Sequence, residues 1–159
     1  MNKTYRISIA GSGRLAKHLS KTLFNNGLEI IEVYSRNKEE GLKLANDTGA
    51  NYVNKAEVLN TDIDLLIISI SDDALKSDLL DNLPKQLDLV HTSGSVSMES
   101  LNRFENHGVF YPLQSFSKTR TPNFKEIPIC LEASNNTLFN KLSSIANKIS
   151  EKLYKINSQ

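Results

Sequence analysis

Residues 5–16 read YRISIAGSGRLA, an apolar run followed directly by a glycine-rich turn. The run predicts a β-strand from Tyr5 to Ala10. Leucines four residues apart, at positions 15, 19 and 23, predict a helix over about residues 15–25 that ends before Gly27, a residue type favoured just after a helix. A strand, a G-x-G-x-x-A turn and a helix in this order are typical of the opening of a βαβ unit.

The small residues of the turn have separate roles in such a unit. Gly11 permits the tight turn, Gly13 lets the backbone approach a pyrophosphate, and Ala16 lets the helix pack closely on the strand. The start of the helix offers free N–H groups and a partial positive charge. The alternative is a tight turn without a ligand. The context favours binding of a dinucleotide phosphate by Gly11, Ser12, Gly13, Arg14, Leu15 and Ala16.

The rest of the chain continues to alternate short apolar runs with amphipathic stretches, which predicts a parallel sheet. We expect an α/β fold of the Rossmann type: a doubly wound, mainly parallel sheet with helices on both faces. One domain, 1–159, would comprise a nucleotide-binding core (1–112), a loop (113–126) and a sheet extension (127–159). Further strands are predicted at 29–34, 52–53, 64–70, 87–91, 109–111, 127–132 and 152–156, and further helices at 38–48, 73–82, 98–104 and 138–149.

The tip of the second predicted strand bears on the choice of cofactor. A domain that binds NAD(H) places an acidic side chain there to accept hydrogen bonds from the adenosine ribose. Here Ser35, Arg36 and Asn37 occupy the tip, and Glu32 lies inside the strand. A hydroxyl and a guanidinium suit a 2′-phosphate, so we expect NADP(H), with Arg14 as a second cation. The alternative is that both arginines are solvated surface residues.

Polar residues follow the fourth and fifth predicted strands, at the edge where open α/β sheets bind ligands. Ser69, Ile70 and Ser71 are expected to face the cofactor, although Ser71 or Asp72 could instead only cap the following helix. The next strand ends in His91-Thr92-Ser93-Gly94-Ser95, which places Thr92 at the same edge.

Two residues of this strand end are candidate catalytic residues. A histidine side chain ordinarily titrates near neutrality, so His91 is expected to exchange a proton or to hydrogen-bond a carboxamide, with Ser93 beside it. A satisfied structural histidine is the alternative. Tyr111 is a weaker candidate at the end of the following strand.

The remaining reactive side chains are assigned no chemistry. We expect His18 and His107 to lie at the surface and Cys130, flanked by apolar residues, to lie in the core. The spacing of histidines, cysteines and carboxylates predicts no metal site.

Composition excludes several classes of partner. The 159 residues carry a net charge of +1, so neither nucleic acid nor a membrane surface is an expected partner. No apolar run approaches the roughly 20 residues that span a bilayer. A single cysteine and the lack of a signal-like N-terminus predict a cytoplasmic, soluble protein.

Three segments together carry a family resemblance: the glycine turn, His91–Ser95, and GVFYPLQSF at residues 108–116. With them the chain resembles the Rossmann-like NADP oxidoreductases related to ketopantoate reductase and pyrroline-5-carboxylate reductase. Many of these proteins have His-Pro where this chain has Tyr111-Pro112, so the role of that histidine is not transferred.

The resemblance also implies what lies outside these residues. Family members carry a C-terminal helical domain that mediates dimerisation, closes the active site and often supplies the acid and base. Nothing in this sequence corresponds to that domain. We therefore expect an N-terminal cofactor-binding part that binds NADP(H) without turning over substrate by itself, and a homodimer in the full-length form.

Two functions remain open on the sequence alone. One is an oxidoreductase, or its NADP(H)-binding domain, that transfers hydride to or from a small carbonyl or imine substrate. The other is a non-catalytic nucleotide-binding sensor or regulatory module, which the fold alone does not distinguish. A flavin or adenosylmethionine domain is disfavoured, because the Ser35-Arg36 tip suits a phosphate better than a ribose diol.

Overall fold

A computed structural model of the chain describes residues 3–76, 78–116 and 120–157. These residues form an eight-stranded sheet in the order β3-β2-β1-β4-β5-β6-β7-β8. The strands are β1 (Arg6–Ala10), β2 (Glu29–Tyr34), β3 (Asn51–Val53), β4 (Leu65–Ile68), β5 (Leu89–His91), β6 (His107–Pro112), β7 (Ile129–Ala133) and β8 (Leu153–Lys155). The helices are α1 (Arg14–Asn25), α2 (Lys38–Thr48), α3 (Asp72–Leu75), α4 (Leu79–Asn82) and α5 (Asn136–Asn147).

The pairing of the strands confirms the expected fold class. All neighbouring strands run parallel except β6 and β7, which pair antiparallel. The order of the first six strands, 3-2-1-4-5-6, is that of a doubly wound Rossmann sheet. The apolar run of β4 lies between β1 and β5, and all four of its residues are fully buried.

Each face of the sheet has its own apolar core. One core joins alternate residues of β1 and β4, such as Ile9 and Ile67, to the leucine-rich faces of α1, α2 and α5. The other joins Leu66 and Ile68 to the leucines of α3 and α4 and to Phe104. Helices therefore cover both faces of the sheet, as expected for strands without polar alternation.

The strand direction reverses between β6 and β7. Tyr111 of β6 lies opposite Cys130 of the antiparallel strand β7, and Val109 lies opposite Glu132. Residues directly opposite each other point to the same face of a sheet. Tyr111, Val109 and Cys130 therefore share one face.

The structure corrects the single helix predicted over 73–82. Two short helices stand there, α3 ending at Leu75 and α4 starting at Leu79. Their leucines face one core, which is why the pattern predicts a continuous helix. Asp78 is the N-cap residue of α4, and aspartate is favoured at helix starts rather than in helix interiors.

One further expectation is wrong. His107 is not a surface residue: it is buried at the start of β6, and its Nδ1 lies 2.7 Å from the carbonyl oxygen of Phe104. The predicted loop 113–126 contains a 3₁₀ turn at Phe124–Glu126, because Phe124 is buried in the core beside Phe116. Residues 117–119 of that loop lie outside the described residues.

None of the described helices combines the length and the apolar composition that crossing a bilayer requires.

Candidate functional site

A cavity of about 620 Å³ lies at the carboxyl ends of β1, β2, β4 and β5 and is called the main cavity below. Its volume falls within the roughly 300–1,000 Å³ of ligand pockets. All of the residues expected to bind the cofactor line it: Gly11, Ser12, Gly13, Arg14, Leu15, Ala16, Ser35, Arg36, Asn37, Ser69, Ile70, Ser71 and Thr92. Ser93 also lines it. The structure thus brings together residues from four strand ends.

Gly11 joins three of these strand ends. Its φ of 131° lies in a region that L-residues rarely adopt, and its N–H donates a hydrogen bond to the carbonyl of Tyr34 at 2.8 Å. A Cβ at this position would lie 2.0 Å from the carbonyl oxygen of Ser69. Glycine at position 11 is therefore what allows the backbones after β1 and β4 to lie this close together.

The start of α1 lies open to the main cavity. Gly13 is the N-cap residue, no side chain caps the helix, and its first turn contains no acidic residue. A Cβ at Gly13 would meet no atom within 4 Å. The uncapped N–H groups and the positive end of the helix are therefore available to an anion. Ala16, one turn on, is buried and permits close packing.

Hydrogen bonds hold the tip after β2 in a fixed conformation. The hydroxyls of Ser12 and Ser35 lie 2.7 Å apart, and the Ser35 hydroxyl accepts a bond from the N–H of Asn37 at 3.0 Å. The Tyr52 hydroxyl donates to the carbonyl of Ser35 at 2.8 Å. Asn37 in turn caps α2 by accepting from the N–H of Glu40.

Three cations surround this tip. Arg14, Arg36 and Lys55 are exposed and line the main cavity. No described carboxylate forms an ion pair with any of them. They are therefore available to a negatively charged group at this end of the main cavity.

Sequence reasoning missed Asn54 and Lys55. They follow β3, a strand of three residues whose pairing with β2 brings them beside the tip. The only sequence signal is a lysine two residues after the short third strand.

Hydroxyls and a carboxylate line the opposite end. Ser71 caps α3 by accepting from the N–H of Ala74 at 3.2 Å, and it also lines the main cavity. Ser95 donates to Asp72 at 2.7 Å. Hydrogen bonds from Ser95 and then Ser93 hold the pKa of the Asp72 carboxyl below its ordinary value. These bonds tie the loops after β4 and β5 together.

His91 lies apart from the main cavity and is fully buried. Its Nδ1 accepts from the N–H of Ser93 at 3.0 Å, and its Nε2 lies 3.4 Å from the carbonyl oxygen of Ser97. Burial lowers the pKa of the imidazole, which opposes its charged form. This geometry supports the structural alternative for His91, in which the neutral ring holds the following loop. Of the predicted catalytic pair, Ser93 alone lines the main cavity.

A second cavity of about 320 Å³ adjoins the loop after β5 and is called the second cavity below. Cys130 lines it and is half-buried, so the expectation of a core cysteine is wrong in part. Burial raises the pKa of its thiol. The lining residues are Ser93, Gly94, Ser95, Val96, Val109, Tyr111, Cys130, Ile156 and Asn157.

Comparison with protein families gives one match over residues 6–90, more than half of the 159-residue chain. The matching family is described as "NADP oxidoreductase coenzyme F420-dependent". The match includes the glycine turn, the tip after β2 and the end of β4.

Solved structures extend the similarity beyond this range. A candidate NADP oxidoreductase from Bacteroides fragilis is 35% identical, with a TM-score of 0.90 over 98% of this chain and 61% of that one. An imine reductase from Pseudomonas sp. is 17% identical and shares the fold, with a TM-score of 0.72 over 98% of this chain and 57% of that one.

Among characterised sequences, an L-aspartate dehydrogenase from Methanococcus maripaludis is 28% identical over 89 residues, which is 54% of this chain and 33% of that protein. The chain thus spans about a third of this relative's length and about three fifths of the two solved structures.

Proposed function

The chain belongs to the family of coenzyme F420-dependent NADP oxidoreductases, and we propose that it binds NADP(H) rather than NAD(H) as the cofactor-holding part of a reductase for small carbonyl or imine compounds. One observation carries the cofactor preference: Ser35 and Arg36 stand beside the main cavity where an NAD-binding domain places a carboxylate.

The residues present fit such a cofactor along the whole main cavity. The open N-terminus of α1, with Gly11 and Gly13, suits the pyrophosphate, because its N–H groups lack partners and no side chain fills the space above Gly13. Arg14 adds a positive charge at the same point. The turn would hold the cofactor by its phosphates.

The tip after β2 would hold the adenosine 2′-phosphate. Arg36 offers a planar set of donors, and Lys55 offers a second cation from the neighbouring loop. Ser35, fixed by Ser12 and Asn37, presents its hydroxyl from a rigid backbone. Arg36 and Lys55 therefore favour the cofactor with the extra phosphate.

The nicotinamide half would then extend toward the loops after β4 and β5, since the adenosine half occupies the opposite end. Ser69, Ile70, Ser71 and Thr92 line this end and would orient the ring. When bound, the nicotinamide supplies or accepts the hydride, and the chain holds the ring and its reacting face.

Paired titrations with NADPH and NADH test this assignment. We expect Arg36→Ala to weaken NADPH binding about 10- to 100-fold, because a charge-assisted hydrogen bond contributes about 1.5–3 kcal/mol. NADH binding should stay unchanged in the same variant. Arg6→Ala is the matched control, since Arg6 pairs with Glu29 at the opposite edge of the sheet. Equal losses for both dinucleotides, or none for either, would contradict the assignment.

A regulatory NADP(H)-binding module is the second candidate function. The burial of His91 favours it, because the predicted acid–base residue does not reach the main cavity. The two candidates differ in the turnover of the full-length protein: a regulatory protein binds NADPH but oxidises it with no carbonyl or imine compound.

A further inference from the structure

The second cavity lies next to the end of the main cavity that would hold the nicotinamide. Ser93 lines both cavities. The hydrogen bond from Ser95 to Asp72, 2.7 Å long, joins a residue of the second cavity to one of the main cavity. Ser93 therefore lies between a group bound in the second cavity and the proposed site of the nicotinamide.

The lining of the second cavity is polar without being charged. Val96, Val109 and Ile156 provide its apolar part, while Ser93, Ser95, Tyr111 and Asn157 provide hydroxyls and an amide. Among the described residues that line it there is no lysine, arginine, aspartate or glutamate. A carboxylate bound there would lose its hydration without gaining a cation, which is costly.

Tyr111 presents the donor best placed to meet a ligand. Its ring lies against Gly94, where an added Cβ would come within 2.5–2.9 Å of the ring and its hydroxyl. No group in the described part of the chain hydrogen-bonds this hydroxyl. The phenol is therefore held in place by packing while its O–H remains available in the second cavity.

Resting on the proposed function, we propose that the second cavity is the substrate pocket and that it takes an uncharged carbonyl or imine compound, hydrogen-bonded by Tyr111, rather than an oxo or amino acid. The volume of about 320 Å³ suits a small molecule. Cys130 lies at the wall of the pocket, opposite Tyr111 in the strand pairing.

Two probes that differ chiefly in charge test the proposal: methyl 2-oxobutanoate, which is neutral, and 2-oxobutanoate. Each is titrated into the chain saturated with NADP⁺, and amide chemical shifts are followed by NMR. We expect the ester to shift Ser93, Gly94, Tyr111 and Cys130 and the acid to leave them unchanged. Shifts with the acid at equal or lower concentration, or none with either probe, would overturn the proposal.

Cys130 gives an independent readout because it is the single cysteine of the chain. Its alkylation by iodoacetamide at neutral pH, where the ester is not rapidly hydrolysed to the acid, is followed by mass spectrometry. The neutral ester should slow this reaction and the acid should not. Equal rates with and without the ester would contradict occupancy of the second cavity.

Tyr111→Phe tests the hydrogen bond while keeping the ring over Gly94. Loss of one neutral hydrogen bond, worth about 1 kcal/mol, predicts about fivefold weaker binding of the ester. Tyr5→Phe is the matched control, because Tyr5 precedes β1 at the end of the sheet opposite the main cavity. Unchanged affinity of Tyr111→Phe for the ester would show that the Tyr111 hydroxyl does not hydrogen-bond the ligand, which contradicts that part of the proposal.

The outcomes separate this proposal from the proposed function. If NADP⁺ and NADPH bind but the ester leaves the second cavity unperturbed, the substrate pocket is wrong and the cofactor assignment stands. If neither dinucleotide binds, the proposed function fails, and the pocket proposal fails with it.

Discussion

At the scale of single residues, two glycines of one turn have different physical reasons to be glycine. Gly11 has a φ of 131°, and a Cβ there would lie 2.0 Å from the Ser69 carbonyl oxygen. Gly13 has a φ of −76° and open space where its Cβ would be. The first glycine is required by the fold, whereas the second leaves room for a ligand.

This contrast predicts opposite effects on stability. Gly11→Ala should lower the free energy of unfolding by about 1–3 kcal/mol, because the residue is forced into a strained conformation against backbone. Gly13→Ala should leave it unchanged or slightly raised. Urea denaturation followed by circular dichroism measures both, and equal stability of the two variants would count against the account of Gly11.

His91 should make stability depend on pH. Its pKa is lowered in the folded state by burial, so the unfolded chain takes up the proton first as the pH falls. The free energy of unfolding should therefore decrease below the unfolded value of about 6.5, until the lower folded pKa is reached.

A variant separates this contribution from that of other groups. His91→Gln should reduce the pH dependence below about pH 6.5, because the glutamine side chain does not titrate. Stability is measured by urea denaturation at a series of pH values. An unaltered slope in His91→Gln would show that the imidazole is not kept neutral by the fold.

At the scale of elements, α5 shows how a side chain fixes the start of a helix. The Asn135 side chain accepts from the N–H of Leu138 at 2.8 Å and donates to Asn106 at 2.6 Å. It lies after β7, which runs antiparallel to β6, and therefore at the edge of the sheet opposite the main cavity. Its role is stability rather than binding.

Asn135→Ala should accordingly lower the free energy of unfolding by about 1 kcal/mol, the usual effect of removing an N-cap. Asn135→Asp, which keeps the capping oxygen, should lose less. NADPH affinity measured on the same samples should not change. A loss of affinity in Asn135→Ala would indicate that α5 is coupled to the main cavity.

The elements near the turn could be predicted because their signals are local. Gly11 to Ala16 and the tip at Ser35-Arg36 are set by short motifs, and both line the main cavity. The break between α3 and α4 was not predicted, because leucines on both sides face one core and continue the helical spacing.

The parts of the site that were missed depend on distant pairing. Lys55 reaches the main cavity because β3 pairs with β2, and the second cavity exists because Tyr111 of β6 lies opposite Cys130 of β7. The register of the β3–β2 pairing and that of the β6–β7 pairing cannot be read from a sequence pattern. His91 was placed at the correct strand end, but only its three-dimensional surroundings show that both ring nitrogens face backbone groups.

At the scale of the whole molecule, strand order explains where the chemistry lies. The connection after β1 leads to β2 on one side and the connection after β4 leads to β5 on the other, so the two connections run in opposite directions from the main cavity. Ligands of open α/β sheets bind at this switch of direction. The glycine turn, the cationic tip and the serine-rich loops therefore meet at one edge because of the topology.

The central claim is that the turn after β1 holds the phosphates of a dinucleotide, and calorimetric titration of NADPH into the wild-type chain and Gly13→Ala tests it most directly. The variant keeps the fold, since the added methyl group meets no atom within 4 Å. We expect NADPH to bind the wild type and to bind the variant at least about tenfold more weakly, because the methyl group occupies the space above the helix N-terminus. Equal affinity of the two folded proteins for NADPH, or no binding to the wild type, would contradict it.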